Sequence, residues 1–426
     1  MRLFKQLFLY VSTAILFIAC GEDRTYEYYK LTEENQWIYA QMQQYYLWGD
    51  LIKEPERNKF FSASSDFFYS LLQKNDNTSH FADSATLTSY GMTFAIMRDP
   101  LGIKPSKSYA AVLFVEPGSP ADKAGIKRGT WIARVGKSDV STSNYGYLER
   151  GDATTLFTSN IVPDSTGTEF VWESGDTLNI SQAVEIAPVA IVLDTIYNIP
   201  DHKVGYVICN RFADSSSIEP VLSHFAAENI TDLIIDLRYN SGGSLQTAAA
   251  FASMIAPQAQ GGLFCSLSYN EANSDKNRNY CFSEQSTALE LSRIFILTTN
   301  ATRGAAEAFA ASMRMNLGDK KVVLLGGSSA GRNLYTQSIE SPFDFVINPA
   351  VATICAPNGE AMSSYGFGVD YEVSEFTNPL IEQLGNINEQ MLYSTLYYML
   401  NGTLPDTEIM KSPLIRTVYG KNIVIE

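Results

Sequence analysis

Histidine is scarce in this chain of 426 residues, which contains only three. His80, His202 and His224 are far apart and form neither an HExxH motif nor another clustered pair. A zinc site built on histidine is therefore not expected. None of the three accompanies a GxSxG motif, so nothing in the sequence indicates the usual serine hydrolase chemistry. Any reaction is expected to use other groups.

Positive charge is also in short supply. The chain has 31 Lys and Arg against 46 Asp and Glu, a net charge of −15, and no basic stripe that would neutralise phosphates. Nucleic acid is therefore not an expected partner. A hydrophobic fraction of 45% indicates a globular protein, and the length suggests two to four domains of roughly 100–200 residues each. We expect neither a metal ion nor another cofactor.

Cysteine occurs five times. Apart from Cys20, the cysteines are widely spaced, which fits neither a metal site nor a dense disulfide framework, and their pairing cannot be deduced: Cys209, Cys265, Cys281 and Cys355. Cys209 lies within VGYVIC and is expected to be a small buried hydrophobic residue.

The apolar run at the start of the chain is short. Leu7–Ala19 has 13 residues, whereas a bilayer span needs ~20. Arg2 and Lys5 precede it, and a charged start before a short apolar stretch is typical of a secretory signal. We predict a signal peptide over residues 1–19.

The end of this run, Phe17–Gly21, resembles the bacterial lipobox, although Phe17 replaces the usual leucine. The resemblance implies that Cys20 is acylated and anchors the protein in a membrane; an ordinary signal peptide with an incidental cysteine is the alternative. Glu22 and Asp23 are similar to the acidic signal that sends some lipoproteins to the cell surface. The expected location is the cell envelope of a Gram-negative-type bacterium, as an outer-membrane lipoprotein.

Residues 20–85 are predicted to form a tether and a helical region. Thr32 followed by Glu33 and Glu34 predicts a helix start, and Ser65–Gln73 predicts a second helix. Apolar and aromatic residues after the first start recur at helical spacing, which predicts a packing face: Trp37, Ile38, Met42, Tyr45, Tyr46 and Trp48.

Short β-like runs follow, Met92–Met97, Ala110–Val115 and Trp131–Val135. Between the last two, Glu116–Gly129 predicts a turn, one short helix and a glycine-closed turn. This string resembles the PGSPAxxAGIxxGD signature of PDZ domains, with Thr130 in place of the final Asp. The resemblance implies a PDZ-like domain over residues 86–190, with the polar stretch 141–180 as its variable part.

PDZ domains add an extended peptide, often a free C-terminus, to a sheet edge. The nearest candidate here for the peptide-binding segment is Tyr90, Gly91, Met92, Thr93 and Phe94. The plain start of a strand is the alternative.

Strand and helix patterns alternate through residues 191–385, which predicts parallel strands covered by helices. Predicted strands cover Val204–Cys209, Leu233–Leu237, Ile294–Thr298 and Val322–Leu325, and helices are predicted at 216–229, up to about Ala256, and at 303–316. The stretch 266–291 is a polar insertion of a kind that commonly rims a site, and a solvated surface loop is the alternative. Residues 386–426 are predicted to hold a terminal helix over Gln390–Leu400.

Three segments follow predicted parallel strands, where open α/β sheets bind ligands. They are Asp236–Gly243, Thr302–Glu307 and Leu325–Asn333. The glycines of the first allow backbone N–H groups to converge on an anion, and the second opens a helix. An oxyanion hole with a nucleophile would fit this arrangement.

These segments resemble, in order and spacing, the motifs of the carboxy-terminal processing peptidases, also called tail-specific proteases. The DLRxNxGG motif is matched at Asp236–Gly243, and TxSAxE and GxxTxGK are matched in part at Thr302–Glu307 and Gly326–Arg332. A further segment is matched at Asn358–Glu360 and Gly366–Val373. The resemblance implies a multi-domain α/β fold, with an N-terminal helical region, a PDZ-like β domain and a peptidase core of the ClpP/crotonase-like type.

This sequence departs from the family at the catalytic pair. The family's serine nucleophile falls on Gly304 and its lysine base on Arg332. An arginine stays protonated in proteins and cannot act as that base. The oxyanion-type backbone positions, Gly242, Gly243 and Ala305, could remain.

Three functions of the chain stay open. The first is a lipid-anchored, catalytically impaired homologue that binds extended peptides or protein C-termini, in which Arg332 could hold a peptide carboxylate. The second is an interaction subunit of a surface complex, which only the acidic charge indicates. The third is an active serine peptidase with a displaced nucleophile. Serines and lysines near the three segments would have to supply that chemistry, although ordinary turn and surface roles are the simpler interpretation: Ser312, Ser328, Ser329, Lys320 and Lys321.

Overall fold

The computed structural model describes residues 25–83, 87–187, 189–213, 215–285, 288–376, 380–406, 415–417 and 423–425. The predicted signal peptide and the predicted lipidation site at Cys20 lie outside these ranges. The chain divides into two compact units, one with residues up to Phe81 together with Gln337–Pro349, and one with the rest. No helix in the described ranges is long and apolar enough to span a membrane.

The first unit is built on helix α1, Thr25–Tyr45, and helix α2, Ser64–Ser70. Ile38, Met42 and Tyr46 are fully buried, which confirms the predicted packing face. Two 3₁₀ turns and three short strands complete the unit: Gly49–Leu51, Arg57–Phe61, His80–Asp83, Ile339–Glu340 and Phe345–Asn348.

The predicted helix start at Thr32 is wrong, because α1 begins at Thr25, about two turns earlier. The Thr32 hydroxyl does not cap a helix end; it donates to the carbonyl of Tyr28 one turn back, at 2.7 Å. A threonine followed by acidic residues is therefore accommodated inside this helix.

The second unit contains a β-rich domain and an α/β core. The β-rich domain has five main strands, β1 Met92–Arg98, β2 Ser108–Val115, β3 Trp131–Val135, β4 Thr154–Pro163 and β5 Phe170–Ile180, paired in that order and antiparallel. Helix α3, Pro120–Lys123, starts at Ser119, whose hydroxyl accepts the Asp122 N–H at 3.2 Å. Short strands accompany them: Thr88–Ser89, Ser138–Asp139, Val184–Glu185, Ile415–Thr417 and Ile423–Ile425.

The outer edge of β1 carries an added strand. The backbone of Ile423–Ile425 pairs in parallel with Ala95–Met97, and Ile415–Thr417 pairs with Ile423–Ile425 in turn. The edge of this sheet therefore accepts an extended segment, here one from the same chain.

The α/β core has ten strands in chain order: β6 Ile191–Ile199, β7 His202–Cys209, β8 Asp232–Asp236, β9 Leu263–Tyr269, β10 Arg278–Cys281, β11 Arg293–Thr298, β12 Val322–Gly326, β13 Leu334–Thr336, β14 Ala350–Cys355 and β15 Tyr371–Glu372. One sheet has the order β6-β7-β8-β11-β12-β15, and the second has the order β10-β9-β14-β13. The strands from β7 to β15 of the first sheet run parallel. Their carboxyl ends consequently meet at one edge.

Four helices belong to this core: α4 Glu219–Ala227, α5 Leu245–Ile255, α6 Ala305–Leu317 and α7 Gln390–Asn401. Phe251 on α5 and Phe309 on α6 are buried, and their ring centroids lie 5.2 Å apart. The alternation of strands and helices predicted for this region is confirmed. Cys209 is fully buried as predicted, and burial raises the pKa of its thiol to about 12.

The alternative of a solvated surface loop over residues 266–291 is wrong. Strands β9 and β10 form an antiparallel hairpin there, and β9 also pairs with β14. Within this stretch the hairpin buries Leu267 and Tyr280, and Phe282 is buried directly after it, while Ser268, Arg278 and Asn279 are exposed. The polar positions face outward, which hid the strand pattern in the sequence.

A buried ionic network joins the β-rich domain to the core. The Arg128 guanidinium, which follows α3, donates to the Tyr239 hydroxyl at 2.6 Å and to Glu375 Oε2 at 2.9 Å. Arg238 donates to Glu389 at 2.7 Å and to Asp236 at 2.6 Å. Both arginines are almost completely buried.

The same network controls the ionisation of Glu389. Burial alone would raise the pKa of this carboxyl, but the guanidiniums of Arg238 and Arg128 hold it below its ordinary value. Glu389 is also the N-cap of α7, where its side chain accepts the Leu392 N–H at 3.1 Å. One carboxylate thus connects the start of α7 to arginines from both parts of the unit.

Replacing Arg128 with alanine tests whether this network holds the β-rich domain in place. The change removes the nearer guanidinium of Glu375 and leaves only that of Arg238, 3.6 Å away, so we expect a loss of about 3–5 kcal/mol in the free energy of unfolding. Urea denaturation measures it, and Lys127→Ala, at the exposed neighbouring position, is the matched control, with an expected change within about 0.5 kcal/mol. Equal stability of the two variants would contradict the role given to Arg128.

Candidate active site

The Asn240 side chain connects the turn after β8 to the end of the neighbouring strand β7. Its amide nitrogen donates to the Cys209 carbonyl at 2.9 Å, and its Oδ1 accepts the Gly242 N–H at 2.8 Å. Asn240 is completely buried. It therefore fixes the two glycines that follow to the neighbouring strand end.

Gly242 and Gly243 both have positive φ, 101° and 117°. A Cβ on Gly243 would lie 2.3 Å from the Phe212 carbonyl oxygen, and a Cβ on Gly242 would lie 3.2 Å from the carbonyl oxygen of Arg303. Glycine is therefore required at Gly243 and favoured at Gly242. The close approach brings this turn against the residues that start α6.

Gly304 ends the segment between β11 and α6 with φ 59° and ψ −117°. That conformation is strained for residues with a side chain. A Cβ built on Gly304 would meet only the Gly242 Cα, at 3.8 Å, which is an ordinary contact. The site therefore has room for a side chain at this position, directed at the glycine turn.

Two backbone amides are available beside Gly304. Within the described ranges, neither Gly243 N–H nor Ala305 N–H donates a hydrogen bond to another residue. Ala305 is the first residue of α6, so its amide also lies at the positive end of a 13-residue helix. The predicted oxyanion-type positions Gly242, Gly243 and Ala305 thus lie together around Gly304, with the amides supplied by the last two.

Glu307 holds the start of α6 to the loop after β12. Its carboxylate is 1% exposed and accepts four hydrogen bonds, from Gly304 N–H at 2.9 Å, Ser329 Oγ at 2.6 Å, Gly331 N–H at 2.7 Å and Arg332 N–H at 2.8 Å. The backbone N–H groups of Gly304 and Arg332, which are 28 positions apart in the sequence, therefore donate to the same oxygen, Glu307 Oε2.

The role of Glu307 was not predicted. The sequence could have indicated only its bond to Gly304, because an acid three residues after a helix N-cap has the spacing of a capping box. Here that acid accepts the Gly304 N–H. Its bonds to the loop of residues 329–332 had no signal in the sequence.

Two arginines lie near Gly304. Burial and, to a smaller extent, the positive charge of Arg332 lower the pKa of the Arg303 guanidinium to about 10, although Glu307 opposes the change. The side chain remains protonated at neutral pH. The Arg303 guanidinium donates to the Ala301 carbonyl at 3.2 Å, and the charges of Arg303, Arg332 and Glu307 interact near the start of α6.

The serines and lysines considered as replacements lie in other environments. The buried Ser312 hydroxyl donates to the Phe264 carbonyl, and that of Ser329 donates to Glu307. Ser328 is exposed in the same loop. Lys320 and Lys321 directly precede β12, at the opposite end of the sheet from Gly304.

The segment Tyr90–Phe94 is buried at all five positions. Tyr90 N–H donates to the Glu149 carbonyl at 2.9 Å, and its carbonyl accepts the Ala121 N–H at 2.9 Å. A Cβ on Gly91 would lie 2.3 Å from the Ser119 Cβ, so the segment packs against the start of α3.

Two family models match parts of this sequence. Residues 203–373 match the peptidase family S41 model, and residues 33–82 match the peptidase S41 N-terminal domain. The chain belongs to the S41 peptidase family. The predicted relationship to carboxy-terminal processing peptidases is confirmed.

A carboxyl-terminal-processing protease of Synechocystis is 24% identical over 261 residues, 60% of this chain and 56% of that protein. The chain spans about half the length of the curated S41 relatives it matches. A Bacteroides fragilis crystal structure described as an S41 protease has a TM-score of 0.73 and 25% identity, and covers 86% of this chain and 97% of its own. The photosystem II D1 C-terminal processing protease shares the fold, with a TM-score of 0.50, 16% identity, and coverage of 82% and 94%.

Glu307→Gln tests the attachment of the loop of residues 329–332 to α6. The amide has one oxygen for four donors, so we expect the free energy of unfolding to fall by about 2–3 kcal/mol and the Gly331 and Arg332 amides to exchange faster. Denaturation and amide hydrogen exchange measure the two effects. Glu290→Gln, at an exposed position before β11, is the control. Unchanged exchange at Gly331 and Arg332 would show that Glu307 does not fix the loop.

Proposed function

We propose that this S41 family member binds extended polypeptide segments without cleaving them. Gly304 carries the proposal. It occupies the family's nucleophile position by the match of Thr302–Glu307, in a turn with room for a side chain and beside two available amides, yet it has none. Arg332 occupies the position of the family's lysine and cannot act as a general base.

Loss of both members of a nucleophile–base pair removes several orders of magnitude in rate. The amides of Gly243 and Ala305 belong to the main chain, so this loss does not affect them. Their N–H groups would donate hydrogen bonds to a peptide oxygen in the same way as to an oxyanion. Binding of polypeptide is thus compatible with loss of the reaction.

A terminal carboxylate is the favoured group at this site. The guanidiniums of Arg303 and Arg332 supply positive charge there, and arginine binds carboxylates well in water-poor surroundings. The ligand we propose is therefore a protein C-terminus or another extended segment with a carboxylate.

The proposal also includes the assignments made from resemblance. The β-rich domain is proposed to be PDZ-like and to bind peptide near Tyr90–Phe94, and the core to be ClpP/crotonase-like. The added strand at Ala95–Met97 supports a binding mode in which the sheet edge accepts an extended chain. Residues 1–20 support an outer-membrane lipoprotein anchored through Cys20.

Restoring the pair tests the loss of catalysis. We expect the wild-type protein to leave casein and an unfolded tailed substrate intact, and the double variant Gly304→Ser/Arg332→Lys to cleave them. Gel analysis and mass spectrometry of products measure cleavage. The single variants should remain inactive, since each lacks one partner. Cleavage by the wild type that is lost in Ser328→Ala or Ser329→Ala would instead establish a displaced nucleophile.

Peptide binding is tested with the same tail peptide carrying either a free C-terminal carboxylate or an amide. Calorimetry at low salt should give about tenfold tighter binding of the free carboxylate, and Arg332→Met should remove the difference. Lys320→Met, an exposed cation at the other end of the sheet, is the control. Equal binding of the two peptides, or binding of neither, would contradict the proposal.

A further inference from the structure

A cavity of about 330 Å³ opens at the carboxyl ends of β11, β12 and β15. The loops that form the candidate active site also form this cavity. Thr299–Asn300 lead into the segment that ends at Gly304, and Gly326–Ser328 lead into the loop of residues 329–332. None of the active-site positions Gly304, Arg332 or Ala305 lines it, so it is a separate recess at the same edge of the sheet.

Among the residues that the structure describes, the lining of this cavity includes two acids and no lysine, arginine or histidine. Glu372 is exposed, whereas Glu375 is 6% exposed. Polar and apolar side chains complete the wall: Thr299, Ser374, Val373 and Phe376.

One oxygen of Glu375 is unsatisfied. Its Oε2 accepts bonds from Arg128 and Tyr239, but its buried Oε1 has no hydrogen-bond partner in the described part of the chain. A buried carboxylate oxygen without a donor is costly, and each such group calls for an explanation. Glu375 also lines the cavity, so a cationic group bound there would lie close to this carboxylate.

The charges around Glu375 do not balance. The buried network has two guanidiniums and three carboxylates, in the order of the chain Arg128, Asp236, Arg238, Glu375 and Glu389. One negative charge is left over, and the carboxylate with the unpaired oxygen is the one that lines the cavity. Glu372 adds a second negative charge to the lining.

We propose that this cavity binds the basic side chain, lysine or arginine, of a bound polypeptide. The inference rests on the proposed function, because it assumes a polypeptide at this edge of the sheet. The aliphatic stem contacts Val373 and Phe376, and the cationic head lies by Glu372 and Glu375. A cavity of about 330 Å³ accommodates one long side chain.

The test uses nine-residue peptides of alanine and serine with a free carboxylate and one variable residue, placed in turn at each of the last four positions. Calorimetry compares lysine, arginine, norleucine and glutamate there. At the best position we expect lysine or arginine to bind at least about tenfold more tightly than norleucine, and glutamate more weakly still. Equal binding of lysine and norleucine at every position would overturn the proposal.

Two variants locate the effect. Glu372→Gln, outside the network, should reduce the preference for lysine severalfold, and Glu375→Gln should abolish it. Glu290→Gln, exposed before β11, should leave it unchanged. Since Glu375→Gln also alters the network, its folding is checked by thermal denaturation, and the result for Glu372→Gln decides alone if that variant unfolds. An unchanged preference in Glu372→Gln and in any folded Glu375→Gln protein would overturn the proposal.

A small-molecule probe separates this inference from the proposed function. n-Butylammonium has the head and stem of lysine, and 1-butanol has the same length without the charge. Saturable binding of butylammonium but not butanol, lost in Glu372→Gln, would support the cavity even if no peptide binds and the proposed function fails. Peptide binding without selectivity for butylammonium or lysine would leave the proposed function standing and overturn the cavity assignment.

Discussion

Buried charge at the carboxyl edge of the parallel sheet is the constraint that orders the loops around it. A carboxylate removed from water must be met by donors, and the donors here come from distant parts of the chain. Glu307 takes its four from the turn at Gly304 and from residues 329–332. Glu389 forms ion pairs with the guanidiniums of Arg128 and Arg238. The loops of the candidate site therefore lie where their donors can reach the buried carboxylates of Glu307 and Glu389.

The sequence predicts the strands of the parallel sheet well, because β8, β11 and β12 are continuous buried apolar runs bounded by turn residues. The site could be placed at their carboxyl ends for the same reason. The β9–β10 hairpin was missed because its outward positions are polar, and the start of α1 because Thr32 looks like a cap. The long-range contacts of Glu307 and Arg128 could not be predicted from the sequence, since Arg128 binds Glu375, which is 247 positions away. Local patterns carry no information about such pairings.

The conformation at Gly304 is one that glycine adopts with little strain. A residue with a Cβ at φ 59° is strained by about 1–3 kcal/mol, and the surrounding bonds must hold it there. Glycine avoids the strain, and Glu307 binds the Gly304 N–H. If Gly304 stands at the nucleophile position, as we propose, a change from serine to glycine removes the nucleophile and relaxes the turn, while the amides of Gly243 and Ala305 remain part of the backbone. Such a change is neutral or favourable for folding, which is consistent with the proposed binding without cleavage.

The edge of the sheet carries opposite charges in two neighbouring places. Arg303 and Arg332 are on the side of Gly304, and Glu372 and Glu375 line the cavity formed by the preceding loop residues. Opposite charges at two fixed places favour one orientation of a ligand and disfavour its reverse, because reversal sets like charges together. A peptide with a carboxylate and a basic side chain would therefore be held in one direction along the edge. A peptidase needs such directionality to place the scissile bond, and a protein that only binds tails needs it to recognise an end, so this charge pattern fits the proposed binding of tails as well as it would fit cleavage.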